Sequence, residues 1–329
     1  MAAPDLSIVI PSHNAEVHLE HVVKAARAIA GLAVEIIIVD DASSDNSDLI
    51  IDRLVAANPD IKAIKLTQNG GAGHARNVGF RAVTGRYTMF FDADDLLLPQ
   101  AVERLVALAE QERADVVVAS YTYVRDHSDF VGPMNNVDVE MWNAILAGEP
   151  YRTFELQQFP RLLETTNYPW NKICRTERLR EIGLYFSETS VHNDIHAHWQ
   201  MLLGARRITL AREATCQHQV AAGNTNLTNI VDRRRLDIFT ALRDVQTLFD
   251  RNEALRTAYY RYFVAFLIVV LTWARKKVNV TLLLDYAAGS RDAFSHFTVE
   301  EYLQLRSEAP ALADAALKWR FETNRAIGI

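Results

Sequence analysis

A rhythm repeated through residues 6–95 constrains this chain more than any other feature. A short apolar or β-branched run ends in a polar cluster, and a segment of helical spacing follows. Residues 6–10 stop at Pro11, with Ser12 and Asn14 behind it. Residues 35–39 run into Asp40-Asp41-Ala42-Ser43-Ser44-Asp45. Residues 61–66 precede Asn69, Gly70, Gly71 and Gly73, and residues 87–91 precede Asp92, Asp94 and Asp95. The segments between them, 16–30, 48–57 and 75–83, space their apolar residues as helices do. Pro99 opens a further helix over 100–112, and 115–120 reads as a fifth strand. Such alternation predicts an α/β, Rossmann-like fold: a mostly parallel central sheet with helices on both faces. Ligands in such sheets sit outside the carboxyl ends of the strands, where every polar cluster here falls.

Phe90-Phe91-Asp92-Ala93-Asp94-Asp95 carries the most chemistry, with three carboxylates in four residues behind a buried strand. Acids this close repel one another unless a cation or hydrogen-bond donors offset the repulsion. Mg²⁺ usually takes one or two protein carboxylates and completes its shell with phosphate and water, so a metal holding a substrate diphosphate suits the place. The plain alternative is a turn after a strand, where Asp is common.

The chain of 329 residues is 49% hydrophobic and 23% charged, enough for one large domain with an appendage. A net charge of -6 gives no global basic footprint for nucleic acid. Cys174 and Cys216 do not suggest a disulfide scaffold and are expected as reduced thiols in a cytoplasmic protein. Residues 1–5 lack the pattern of a signal peptide. The apolar stretch 263–271 is short for a bilayer span and reads as a core helix; a membrane-facing helix is the alternative, since Trp273, Arg275, Lys276 and Lys277 follow. A soft boundary falls at 220–230, dividing a first domain (1–225) from a C-terminal helical region (226–329).

Further segments are weaker alone. Asn69 to Gly79 is a glycine-rich loop entering a helix, offering backbone N–H groups and Arg76 to an anion; it is not a Walker A loop, lacking Gly-Lys-Ser/Thr. Asp40 and Asp41 could accept from a base or ribose, or cap the next helix. His192-Asn193-Asp194-Ile195-His196-Ala197-His198 offers Asp194 as a general base, or a solvated helix start, or a zinc site that lacks an evident fourth ligand. Tyr168-Pro169-Trp170-Asn171-Lys172 could stack on and bond a sugar, or pack beneath a loop.

Taken in order, these segments resemble a family-2 glycosyltransferase of the GT-A fold. The resemblance rests on 6–14, on Ile38-Val39-Asp40-Asp41, on Asn69-Gly70-Gly71 with Ala75-Arg76-Asn77-Val78-Gly79, on Gly85-Arg86-Tyr87 leading into the acids, and on Trp170-Asn171-Lys172. It covers roughly the first two-thirds of the chain, and order and spacing make it specific. It implies that Pro11, Asn14, Asp41, Asn69, Gly71, Arg76 and Asp92 line a nucleotide-sugar site, with UDP as the usual nucleotide. It implies Mg²⁺ or Mn²⁺ on Asp94, with Asp92 and His218 as further contacts, and an acceptor near Trp170, Asn171 and Lys172. Asp194 matches the second acid of the family's Glu-Asp pair, the catalytic base, while Asn193 stands where the first acid would be. The implied reaction is inverting transfer to an acceptor hydroxyl, glycan or lipid-linked, in bacterial surface polysaccharide or glycoconjugate synthesis, in the cytoplasm or at the inner face of the membrane. Two rivals stand beside it: a non-catalytic carbohydrate-binding protein, and a nucleotidyltransferase, which Pro11-Ser12-His13-Asn14 after the first strand argues against. The C-terminal region is left with acceptor binding, oligomerisation or membrane docking as open alternatives.

Overall fold

The computed structural model describes residues 3–125, 131–220 and 230–323. Among them ten strands form one sheet: β1 (Leu6–Ser12), β2 (Val34–Asp40), β3 (Ile61–Lys65), β4 (Tyr87–Phe90), β5 (Leu96–Leu97), β6 (Val116–Arg125), β7 (Val131–Gly132), β8 (Tyr151–Phe154), β9 (Lys172–Arg175) and β10 (Ile208–Val220). Their order is β3-β2-β1-β4-β9-β6-β10-β5, with β7 beside β6 and β8 beside β10. β1 pairs in parallel with β2 and β4, and β2 with β3. This is the half that the rhythm predicts, and the Ile and Val side chains of β1 and of β2 beyond Val34 are buried on both faces.

The other half adds antiparallel strands and makes the sheet mixed. β6 and β10 are parallel, but β5, β7, β8 and β9 all run antiparallel to their neighbours. β9 enters after a run of single 3₁₀ turns rather than a crossover helix, so no right-handed crossover forces it parallel. β6 also runs to Arg125, beyond the predicted 120, because β10 pairs along its length. Irregularities in β10 near Ala214 let one strand pair β8 at one end and β5 at the other, which delivers His218 to the acidic loop.

Helices α1 (Leu19–Arg27), α2 (Ser47–Ala57), α3 (Gly71–Ala82) and α4 (Pro99–Glu112) connect the first strands. α1 begins later than predicted because Ala15 N and Glu16 N donate to Ser47 Oγ (2.9 Å) and Asp45 Oδ2 (3.1 Å), tying that stretch to the next loop. Glu35, an acid inside β2, is a structural pin: it accepts from Ser7 Oγ (2.5 Å), Thr84 N (2.8 Å) and Thr84 Oγ1 (2.7 Å), and pairs with Lys62. Burial pushes its pKa up, but these donors together hold it below the usual range.

The later helices are α5 (Asn136–Leu146), α6 (Thr176–Glu181), α7 (Ile195–Gly204), α8 (Ile238–Asp250), α9 (Glu253–Arg275), α10 (Leu283–Ser295), α11 (Val299–Glu308) and α12 (Pro310–Phe321). Trp199 of α7 is 0% exposed and meets Phe249 of α8 and Phe263 and Phe266 of α9 edge-on, at 6.0, 5.3 and 5.5 Å. The C-terminal helices therefore share one core with the sheet. The soft boundary at 220–230 falls mostly outside the described residues. α9 extends well beyond 263–271 and is long and apolar enough to cross a membrane by length and composition. Its Phe263, Leu267, Leu271 and Ala274 are buried in that shared core, while Val269 on the other face is 64% exposed. Both cysteines are buried free thiols.

Candidate active site

The loops after β1, β2 and β3 interlock at the carboxyl ends of their strands. Asn14, at φ +51°, accepts from Ser44 N (2.7 Å) and donates its own N–H to Ser43 Oγ (2.9 Å). Asp41, 2% exposed, accepts from Gly70 N (2.8 Å) and Gly71 N (2.7 Å), one amide to each carboxylate oxygen. This explains why α3 starts at Gly71 and not at 75: Asp41 supplies the acceptors that its first amides need. The amides that the sequence offers to an anion are thus taken by Asp41, and Gly71 itself sits at φ +83°, where a side chain would be strained. Asn69 and His13 both donate to the Asp41 carbonyl, at 3.3 and 2.9 Å. Asn14, Asp41, Asn69 and Gly71 thus lie in interlocked loops at the strand ends, with Pro11 buried in β1.

Arg76 of α3 links this side to the rest of the site. It is 4% exposed, and its two terminal nitrogens donate to Asn193 Oδ1 (2.6 Å) and Asp92 Oδ1 (2.5 Å). Its guanidinium lies 5.4 Å from the Phe186 ring centroid, and its buried Nε has no partner. Gly73 permits the contact: a Cβ there would fall 2.1 Å from Ser187 O and 3.0 Å from Asn193 Cβ. The segment 187–194 can lie against α3 only because that position is bare.

Asp194 follows Asn193 and caps α7 through its backbone: His198 N donates to its carbonyl (2.9 Å), while no side-chain cap bond forms. Among the described residues its carboxylate makes no side-chain hydrogen bond or ion pair. Burial pushes its pKa up to about 6, with the Asp92 charge adding to the rise and Arg76 and Lys172 opposing it. A carboxyl so placed is a proton acceptor near neutral pH. The histidines around it disperse. His196 Nδ1 bonds Tyr185 O (2.7 Å), His198 Nε2 bonds Leu163 O (3.3 Å), and His192 bonds Arg235. Among the described residues no three-ligand metal group forms there or elsewhere, which removes the zinc alternative.

The three acids separate. Asp95, 4% exposed, accepts from His218 Nδ1 (2.7 Å) and Gln219 N (3.0 Å), and its other oxygen is buried without a partner. It ties the acidic loop to β10. Burial raises its pKa to about 6. Burial pulls His218 the other way, but the Asp95 hydrogen bond and the nearby acids win and raise it. Asp94 reaches solvent and lines a cavity of about 210 Å³ together with His18, His21 and Gln219. Partial desolvation by the protein around it and the Asp92 charge raise its pKa. His18 and His21 carried no signal in the sequence; nothing local distinguishes them from solvated histidines.

These residues fit a hard divalent cation. Asp94 offers an accessible carboxylate, Asp95 orients the His218 imidazole as carboxylates do behind metal-bound histidines, and the orphaned Asp95 oxygen lacks a counter-charge. A cation held by so few protein groups takes its remaining ligands from substrate and water, as Mg²⁺ commonly does.

Trp170, Asn171 and Lys172 are placed differently from the acceptor role. They are 1%, 2% and 1% exposed, because β9 enters the middle of the sheet. Asn171 Nδ2 donates to Ala119 O (3.1 Å), and Lys172 Nζ donates to Tyr168 O (2.6 Å) and Asn171 Oδ1 (2.9 Å). Trp170 stacks on Tyr168 and His218, at 4.3 and 5.6 Å. Buried, and with the polar atoms of Asn171 and Lys172 bonded internally, the three form the wall behind His218. Burial pushes Lys172 down to about 8.

The sequence profile of the family described as Glycosyl transferase family 2 matches residues 7–183. Among curated relatives, the glycosyltransferase GlyG of Streptococcus pneumoniae is 33% identical over 128 residues, 38% of this chain and 41% of its own length. The succinoglycan biosynthesis protein ExoO of Rhizobium meliloti is 34% identical over 35% of this chain and 32% of its own length. The uncharacterized glycosyltransferase EpsJ of Bacillus subtilis is 30% identical over 56% of this chain. The chain thus spans only about half or less of these relatives, 52% of EpsJ at most. Among solved structures, S. aureus TarS 1-349 in complex with UDP-GlcNAc superposes with a TM-score of 0.78, covering 98% of this chain and 90% of that one, at 19% identity. The mannosyltransferase PcManGT of Pyrobaculum calidifontis, in complex with GDP-Man and Mn²⁺, superposes at 0.54 and 17% identity, covering 98% and 88%. At such identities the likeness speaks for the fold alone.

Proposed function

Because the chain belongs to glycosyl transferase family 2, and is a glycosyltransferase of α/β GT-A fold, we propose that it moves a sugar, with inversion, from a UDP-sugar to an acceptor hydroxyl. The observation that carries this reading is the Arg76 bridge. One guanidinium joins Asp92, on the donor side, to Asn193, next in sequence to Asp194. A base and a leaving-group site held by one rigid group suit in-line displacement.

Asp194 takes the proton of the acceptor hydroxyl while that oxygen bonds to the anomeric carbon. The bond from that carbon to the nucleoside diphosphate breaks, and its electron pair leaves with the diphosphate. Asn193 in place of an acid keeps a second negative charge away from Asp194 and still accepts from Arg76. Asp94, with His218 oriented by Asp95, would hold Mg²⁺ or Mn²⁺, which when bound offsets charge on the leaving diphosphate. The UDP-GlcNAc complex of TarS and the name of ExoO support a UDP donor and a polysaccharide setting. A nucleotide-sugar donor and two buried free thiols suit the cytoplasm.

A panel of nucleotide sugars tests this. The expected result is that a UDP-sugar raises the melting temperature only when Mg²⁺ or Mn²⁺ is present, and is consumed when a glycan acceptor is added. Stabilisation by GDP-sugars alone, or by none with metal present, refutes the donor assignment.

A further inference from the structure

Links from the C-terminal helices converge on the segment that carries the base. Ser187 Oγ donates to Asp244 Oδ2 of α8 (2.6 Å), Ser190 N donates to Asp237 Oδ2 (2.9 Å), and Arg235 Nη1 donates to His192 Nε2 (3.1 Å). Arg235 is 0% exposed. Its Nε and Nη2 donate to Ile230 O (2.9 and 2.6 Å), and its guanidinium lies 5.5 Å from the Trp273 ring centroid. Trp273 of α9 also meets the His192 ring edge-on at 5.8 Å.

His192 is therefore gripped from two directions. Arginine is always a donor, so His192 Nε2 accepts and Nδ1 carries the proton. Burial and the Arg235 charge keep the imidazole neutral, with its pKa pushed down to about 3. The backbone of His192 sits at φ +62°, in the left-handed region. A side-chain-bearing residue stays there only when its surroundings over-determine it. Arg235 and Trp273 supply that constraint, and Asp194 lies two residues further on.

We infer that Arg235 is a positioning residue for the base: it holds His192 in its left-handed turn from the C-terminal helices, and so fixes where the Asp194 carboxylate stands. The inference rests on Asp194 as the base and gives the C-terminal region a part in the transfer step. The donor-side groups Asp41, Arg76 and Asp92 sit on other elements and touch this segment through the Arg76–Asn193 bond, so loss of this hold is expected to affect nucleotide binding far less than transfer.

The test measures sugar-transfer kcat and the UDP Kd by calorimetry, side by side, in the full chain. Arg235→Met is expected to lower kcat at least about tenfold, since displacements of the order of an ångström cost that much or more, while the Kd changes less than about twofold. His192→Asn, which tolerates the left-handed region and offers an acceptor oxygen, is expected to keep about ten times the kcat of His192→Val, whose branched side chain resists that region. Full kcat in Arg235→Met overturns the inference, as does parallel loss of kcat and UDP binding, the mark of a packing defect. Should Arg235→Met not fold, the His192 pair decides, and equal kcat in its two variants overturns the inference. Asp194→Asn separates the two levels. If it is active, the base reading falls; if it is inactive while Arg235→Met is fully active, only the role of Arg235 falls.

Discussion

Replacing Asp194 by Asn should cost activity and increase stability, and the structure sets both magnitudes. The Asp194 carboxyl is held at about 6 against an ordinary value of 3.8, chiefly by burial. One unit corresponds to 1.36 kcal/mol, so folding disfavours the ionised form by as much as about 3 kcal/mol. The folded pKa lies above the unfolded one. The protein therefore carries this penalty in full above about pH 6 and sheds it as the pH falls towards 4. Asn has nearly the same shape and no charge to desolvate. Asp194→Asn is expected to be more stable than the wild type at pH 8, by up to about 3 kcal/mol, with a smaller gap at pH 5. Its transfer rate should fall by about 10²–10⁴-fold, the usual worth of a general base. The same titration predicts that wild-type kcat declines on the acid side through about pH 6, because the base must be ionised to take a proton. Urea unfolding at pH 8 and pH 5, followed by tryptophan fluorescence and set beside transfer assays, measures all three. A variant that keeps its activity, or is no more stable than the wild type at pH 8, refutes the reasoning.

Asp94→Asn should abolish the metal-dependent UDP thermal shift; at 100 times the Kd that shift reflects about 2.7 kcal/mol, and its survival in the variant removes Asp94 as the ligand. Gly73→Ala places a Cβ 2.1 Å from the Ser187 carbonyl, a backbone atom that cannot rotate away. It should cost about 1–3 kcal/mol in denaturant unfolding and lower kcat by displacing the segment before Asp194; unchanged stability and rate would refute the close approach.

The sequence by itself determined the first half of the sheet. The runs 6–10, 36–39 and 87–91 are almost wholly apolar, and continuous burial of short strands between helices admits little but a parallel sheet, with 61–66 and its exposed Lys62 and Lys65 at the edge. It also determined that the polar clusters would meet, since all end their strands on one side. Asp92, Asp94 and Asp194 were legible as chemistry because each stands at an element's end with a residue type that packing does not need, and Arg76 because it follows a glycine-rich helix start.

What lay beyond the sequence are the facts that depend on distant pairings. Nothing local says that β9 enters antiparallel in the middle of the sheet, and that insertion alone turns Trp170-Asn171-Lys172 from a sugar platform into a buried wall. Asp41 looked free to bind a ligand, yet Gly70 and Gly71, thirty residues on, take both its oxygens. Nothing local separates Asp95 from Asp92 and Asp94 until β10 brings His218 beside it. The grip of Arg235 on His192 joins residues 43 positions apart. Local pattern reports which side chains water would reject and where elements stop. Which polar group meets which depends on topology, and burial then sets what each pair costs and what each lone carboxylate can do.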